Sequence, residues 1–270
     1  MLAPSGPIEL FYEDTKSRQD TGAEQAPVLL VMGLGMAATG WWRTVPVLSE
    51  RFRVLSFDNR GAGRSDKPPG PYTVAQLADD AVAVLDAAGV GRAHVYGVSL
   101  GGMIAQEIAL RHPARVDRLI LAATTAGGRA AVPASEDVQR LVAARATMSA
   151  EQAVWASVPI NYAPRTRRDG GDRIAADIVQ RLRYPIDGRC YGAQLAAAQG
   201  HDAADRLAAL SARTLVVHGD EDVLIPPGNG HRLARLVPGA ELHTWVEAAH
   251  LYFTDEPAAD EAIRDWLAAD

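Results

Sequence analysis

Five apolar runs of strand length recur along the chain with helical patterns between them, and that alternation leaves few folds open. The runs cover residues 28–32, 53–57, 93–98, 116–122 and 214–217. Each is rich in Val, Leu or Ile and lacks the apolar-polar alternation of a strand with one wet face, so each suits a strand buried on both faces of a mostly parallel sheet. Thr73, with Gln76 three positions on, opens a helix in which Leu77, Ala81, Val84, Leu85 and Ala88 recur at helical spacing before Gly89. A second helix is expected over about 100–111, with Ile104, Ile108 and Ala109 toward the sheet and His112-Pro113 ending it. Strands alternating with helices imply right-handed crossovers and a sheet covered on both sides. Ahead of these, residues 8–13 alternate as an edge strand does, and the polar run 14–26 reads as an exposed hairpin loop.

The rhythm breaks from Thr124 to about Leu210. No convincing strand occurs there, whereas 136–148, 150–158, 173–182 and 190–199 all read as helices. About 85 residues far exceed an ordinary connection, so this stretch is expected to be a helical cap inserted between two sheet strands. The expected division is a core of residues 1–123 and 211–270 and a cap of 124–210. The core pattern resumes with a strand at 214–218, a helix over 228–236, a strand at 241–246 and a terminal helix over 256–268.

One strand-to-helix junction carries chemistry. Residues 93–103 pass from a buried run into a helix through Gly97-Val98-Ser99-Leu100-Gly101. A serine on such a turn has strained dihedrals and an exposed hydroxyl, and the glycines on either side remove Cβ atoms that would collide. The helix that follows aims its first N–H groups at the same point, where they can receive negative charge.

A serine hydroxyl needs a base, and the base needs a partner that fixes its tautomer. His250 lies in the loop after the last strand, within Glu247-Ala248-Ala249-His250-Leu251-Tyr252-Phe253. The loop leaving the strand at 214–218 offers Asp220, Glu221 and Asp222, of which Asp222 is favoured and Asp220 is the rival. His218 is placed to support them, while His94, His112, His201, His231 and His243 read as structural or exposed. The order Ser99, Asp222, His250 is the one a strand-to-helix nucleophile turn of this kind uses. The loop Met32-Gly33-Leu34-Gly35-Met36 supplies the N–H of Leu34, which pairs with that of Leu100 as an oxyanion site.

Composition removes several other function classes. Net charge is −6, and no long run of Lys or Arg gives a nucleic acid or an anionic membrane an electrostatic foothold. Lys16 and Lys67 are the only lysines among 27 basic residues, a bias that speaks of genome composition rather than binding. Cys190 is the sole cysteine, which excludes an internal disulfide and a cysteine-built metal site. Histidines and carboxylates show no metal-ligand spacing, so neither metal nor cofactor is expected. Residues 1–7 do not read as a secretory signal, and no apolar stretch approaches membrane-span length. A cytoplasmic protein is the expectation.

Taken together, Val31-Met32-Gly33-Leu34-Gly35, the stretch from Phe57-Asp58-Asn59-Arg60-Gly61 to Arg64-Ser65-Asp66, Gly97-Val98-Ser99-Leu100-Gly101-Gly102, His218-Gly219-Asp220-Glu221-Asp222 with Pro226, and Ala249-His250 resemble the α/β-hydrolase superfamily over nearly the whole chain. The likeness is to its capped small-molecule serine esterases and lactonases, including enol-lactonases, polyketide methyl esterases and cofactor-free haloperoxidases. It implies the α/β-hydrolase fold, with Ser99, Asp222 and His250 as nucleophile, acid and base and Leu34 and Leu100 at the oxyanion positions. Residues 58–65 correspond to a bracing loop, and the cap would roof the pocket and choose the substrate. Two positions depart from the relatives: Met32 stands where many have histidine, and Ala248 replaces a frequent glycine. A serine at 99 disfavours haloalkane dehalogenases and epoxide hydrolases, which use aspartate.

The expected reaction is hydrolysis of a small or medium-sized, largely apolar carboxylic ester, with that ester or a lactone and water as partners and neither nucleic acid nor membrane among them. Lactone opening, carbon-carbon bond hydrolysis and perhydrolysis use the same triad, and retention of all three residues disfavours a non-catalytic binding protein. Trp41, Trp42, Met103, Met148, Trp155, Ile160, Tyr162, Tyr184, Tyr191 and Phe253 are the candidates for an apolar pocket with few charges. The basic stretch Arg165-Thr166-Arg167-Arg168-Asp169 reads as a solvated cap loop rather than an anion-steering patch.

Overall fold

The computed structural model describes residues 1–15 and 26–269, and in it the five apolar runs form the middle of one eight-stranded sheet. In chain order its strands are β1 (Leu2–Ser5), β2 (Ile8–Asp14), β3 (Val28–Val31), β4 (Val54–Phe57), β5 (Ala93–Val98), β6 (Val116–Ala122), β7 (Arg213–Gly219) and β8 (Glu241–Trp245). They lie in the order β1-β2-β4-β3-β5-β6-β7-β8. β1 and β2 are antiparallel to their neighbours, and every pairing from β4 to β8 is parallel. The strand at 8–14 is therefore not an edge strand: β1, four residues with a proline that the sequence gives no reason to read as a strand, covers it. Most of the hairpin loop expected over 14–26 lies outside the described residues.

Strand periodicity sorts the core into two layers. Leu29, Val31, Leu55, Phe57, Val95, Leu119 and Leu121 pack against the helices Val74–Ala87 and Leu100–Arg111 on one face. Their chain neighbours Val28, Leu30, Val54, Tyr96, Val98 and Ile120 pack on the other, against Trp41, Leu48, Phe52 and the helix Ala259–Ala268. The helix after residue 73 starts where its cap predicts, with the Thr73 hydroxyl accepting the Gln76 N–H at 3.1 Å.

Between β6 and β7 the chain is helical: Glu136–Ala144, Ala150–Ala156, Val158–Asn161, Pro164–Asp169, Gly171–Arg183 and Gly188–Gln199. Its two ends meet at a narrow neck, where Gly127 and Asp202 form an antiparallel bridge and Ala203 donates to the Ala126 carbonyl at 2.9 Å. The stretch 165–169, expected as a loop, is a short helix begun by Pro164, whose missing N–H is no loss at a first helical position. No described helix is long and apolar enough to cross a membrane.

Candidate active site

Ser99 sits between the end of β5 and the helix Leu100–Arg111 with φ 59° and ψ −122°, a conformation L residues rarely adopt. The neighbouring backbone forces it. A Cβ on Gly97 would lie 2.1 Å from the Gly101 carbonyl oxygen, and one on Gly101 would lie 2.0 Å from that of Val31, so only glycine lets strand, turn and helix approach this closely. The Ser99 N–H donates to the Ala122 carbonyl at 2.9 Å, and the Thr124 hydroxyl donates to the Ser99 carbonyl at 2.7 Å. Leu100 opens the helix, so its N–H has no acceptor within it.

Burial separates the three acids. Asp220 and Glu221 are exposed at the tip of the loop after β7, while Asp222 turns inward and is buried. Its Oδ1 accepts the N–H groups of Leu224 and Ile225, each at 2.9 Å, and its Oδ2 lies 2.8 Å from Nδ1 of His250. His218, also buried, points Nε2 at the Ile225 carbonyl at 2.7 Å and stands 3.5 Å from the same Oδ2. Burial alone would push the Asp222 carboxyl up, but the charges and hydrogen bonds of His250 and His218 together overcome it and hold the group below the usual carboxylate range. A carboxylate on Nδ1 keeps the ring proton there and leaves Nε2 to accept.

His250 is placed by contacts on both sides of its loop. The Ala249 N–H donates to Asp255 Oδ2 at 2.7 Å, and the Leu251 N–H donates to the Asn161 carbonyl of the helical insertion at 2.9 Å. The Ala163 N–H also reaches Asp255, at 3.1 Å, so one buried carboxylate joins the histidine loop to the insertion. Ala248 takes the place of a glycine without strain: it is fully buried, and the positive φ of this loop falls on Glu247 instead.

Ser99, His250, Leu34 and Leu100 all line one cavity of about 290 Å³ under the insertion. The Leu34 loop is fixed from two directions. The Met32 carbonyl accepts from Asn59 Nδ2 at 3.0 Å, in the bracing stretch where Asp58 takes the N–H groups of Ala38 and Arg64. From above, Gln194 of the helix Gly188–Gln199 accepts the Gly35 N–H at 2.9 Å and donates to the Arg60 carbonyl at 2.9 Å.

Of the expected pocket residues, Met103 lines this cavity and the others do not. Trp41 and Phe253 stack in the core with Tyr96 and Tyr252, and Ile160 and Tyr162 are buried in the insertion. Trp42 donates its ring N–H to Asp177, Tyr184 lies beside the Arg64 guanidinium, and Trp155 is exposed. Met148 and Tyr191 line a smaller recess. The walls are instead made of Met36, Val132, Val138, Val142, Leu195 and Ala198, with Arg145 and Arg181 among them. The two arginines were not anticipated, although helical spacing signals both: Arg181 stands at i+7 from Ile174 and i+3 from Ile178, and Arg145 bears the same relation to Val138 and Val142.

Comparison with known proteins agrees with this architecture. Residues 26–149 match the family described as alpha/beta hydrolase fold. A Caulobacter segnis protein named "Putative carbamate hydrolase RutD" is 31% identical over 85% of this chain and 86% of its own. The poly(3-hydroxyalkanoate) depolymerase of Ectopseudomonas oleovorans is 33% identical over 84% of this chain and 78% of its own. The crystal structure of the enol-lactonase from Burkholderia xenovorans LB400 superposes over the whole of both chains with a TM-score of 0.87 at 25% identity. With its mostly parallel sheet, its helical insertion and a serine held at the turn after β5, this chain belongs to the α/β-hydrolase family.

Proposed function

We propose that the protein is a cytoplasmic hydrolase of small or medium-sized carboxylic esters with an apolar body, and that Ser99 carries the acyl group. The observation that supports it best is the convergence of three distant segments. Ser99 is fixed at a strained turn, His250 faces the same cavity, and a buried Asp222 with no freedom to turn holds the histidine by Nδ1. In this reading His250 Nε2 takes the hydroxyl proton as Ser99 Oγ attacks the ester carbonyl. The N–H groups of Leu34 and Leu100 receive the negative charge of the tetrahedral intermediate. His250 then protonates the leaving alcohol, and water activated by the same nitrogen releases the acid. The insertion, taken as residues 124–210, acts as the cap. The buried, unpaired Cys190 suits a reducing compartment.

A lactone is an ester whose leaving alcohol stays tethered, so the same residues open it, and the full-length likeness to an enol-lactonase favours this as a second reaction of the site. Ser99→Ala should fold as the parent does, refuse a fluorophosphonate label and lose at least 10³-fold in kcat on short-chain aryl esters, about 4 kcal/mol. Turnover near the parental rate, in protein freed of host esterases, would sink the proposal.

A further inference from the structure

The wall of the cavity is electrostatically one-sided. Arg145 and Arg181 line it, and among the described residues no aspartate or glutamate does. The same two side chains line the adjoining recess with Met148, Ile186 and Tyr191.

Elsewhere the buried or half-buried arginines find acceptors, which are backbone carbonyls for Arg118, Arg173 and Arg232 and carboxylates for others. Arg60 is bidentate on Asp80, Arg64 binds Asp58 and Glu13, and Arg43 is paired with Asp177. Arg145 differs. Among the described residues its guanidinium makes no hydrogen bond and no ion pair; its Nε is sealed from solvent without an acceptor, and its close neighbour is the Tyr191 ring, 4.9 Å from its central carbon. The Tyr191 hydroxyl is already committed to the Val142 carbonyl. Arg181 spends one nitrogen on the Ser157 hydroxyl at 2.9 Å, while its other terminal nitrogen is buried without an acceptor. Burial, with the positive charge of Arg181 adding to it, holds Arg145 below the ordinary arginine range. Two like charges with buried, unused donors at the cavity wall are costly, and an anion that enters the cavity offsets that cost.

We propose that the natural substrate carries a carboxylate at the end remote from its ester bond, and that Arg145 and Arg181 bind it. A guanidinium offers parallel N–H donors that match the two oxygens of a carboxylate, and charge-assisted hydrogen bonds of this kind exceed neutral ones in strength. Val138, Val142, Leu195 and Ala198 line the same cavity and offer apolar surface to the chain that joins the two ends. The substrate class is then a half-ester or lactone acid: an apolar body, an ester carbonyl over Ser99 and an anionic tail. The assignment of the reacting end depends on the ester-hydrolase reading of Ser99; the carboxylate site does not.

The test pairs monomethyl esters of succinate, adipate and suberate with the corresponding dimethyl esters, following methanol release. The parent enzyme should favour at least one monomethyl ester over its dimethyl partner by tenfold or more in kcat/KM. That ratio should fall to within twofold in Arg145→Gln, a change that removes no hydrogen bond within the protein. A binding arm uses Ser99→Ala titrated calorimetrically with hexanoate and with hexanamide. Hexanoate should bind at least tenfold tighter, and the difference should vanish when Arg145→Gln is added. Equal rates for both members of every ester pair, or a preference for the acid that survives Arg145→Gln and Arg181→Gln, would overturn the carboxylate site. If no ester turns over, the Ser99 reading fails and the binding arm alone decides the site.

Discussion

Replacing Asp222 by asparagine isolates the role of one proton. The Leu224 and Ile225 N–H groups both point at the Oδ1 position from 2.9 Å, so the amide of an asparagine there presents its carbonyl oxygen to them and its NH2 to His250 Nδ1. Nδ1 must then accept, which sends the imidazole proton to Nε2 and removes the lone pair that would deprotonate Ser99. Flipping the amide restores the ring but sets its NH2 against the half-buried N–H groups of Leu224 and Ile225, each left unpaired at a cost of about 1 kcal/mol. Adding the lost attraction between carboxylate and imidazolium, kcat is expected to fall about 10⁴-fold, or about 5 kcal/mol. Steady-state hydrolysis of an aryl ester measures this, with circular dichroism to show that the fold is kept. Asp220→Asn, at the exposed neighbour, should stay within twofold of the parent. An Asp222→Asn enzyme within tenfold of the parent would refute the reasoning.

Further outcomes follow from the same contacts. Gly101→Ala places a methyl group 2.0 Å from the Val31 carbonyl and should destabilise by about 3 kcal/mol; an unchanged denaturant midpoint would contradict the packing argument. Asp260 is buried beside the Thr44 hydroxyl, and burial raises its carboxyl to about 7. The folded protein therefore prefers it protonated, and stability is lost as pH climbs from about 4 through 7. Asp260→Asn should remove that loss and gain about 2–4 kcal/mol at pH 8 but little at pH 4, and an equal effect at both pH values would count against it. Asp255→Ala strips the acceptor from the Ala249 and Ala163 N–H groups and should cost about 2–3 kcal/mol of stability, together with a drop in kcat; full activity would show that the histidine loop holds itself.

The parts of the fold written in local pattern were readable from the chain. Continuous apolar runs mark strands with two buried faces, and Thr73 marks a helix start, because each depends on residues close in sequence. The site was readable wherever backbone geometry demands a residue type, as at Gly97, Ser99 and Gly101. β1 was hidden because its four residues owe their strand form to pairing with β2 rather than to their own pattern. The pocket misled for a different reason. Large aromatics such as Trp41, Tyr162 and Phe253 gain the most from complete burial, so they fill the close-packed layers, and the space left beside Ser99 is walled by smaller aliphatics. Arg145 and Arg181 stand at inward helical spacing, and local pattern does not separate an arginine that faces a cavity from one that faces solvent.

Gln194 ties the roof of the cavity to the loop that carries Leu34, using both ends of one amide. A displacement of the helix Gly188–Gln199 would pull on the Gly35 N–H, one peptide along from the Leu34 N–H. The position of this helix and the posture of the Leu34 loop are therefore coupled through one side chain.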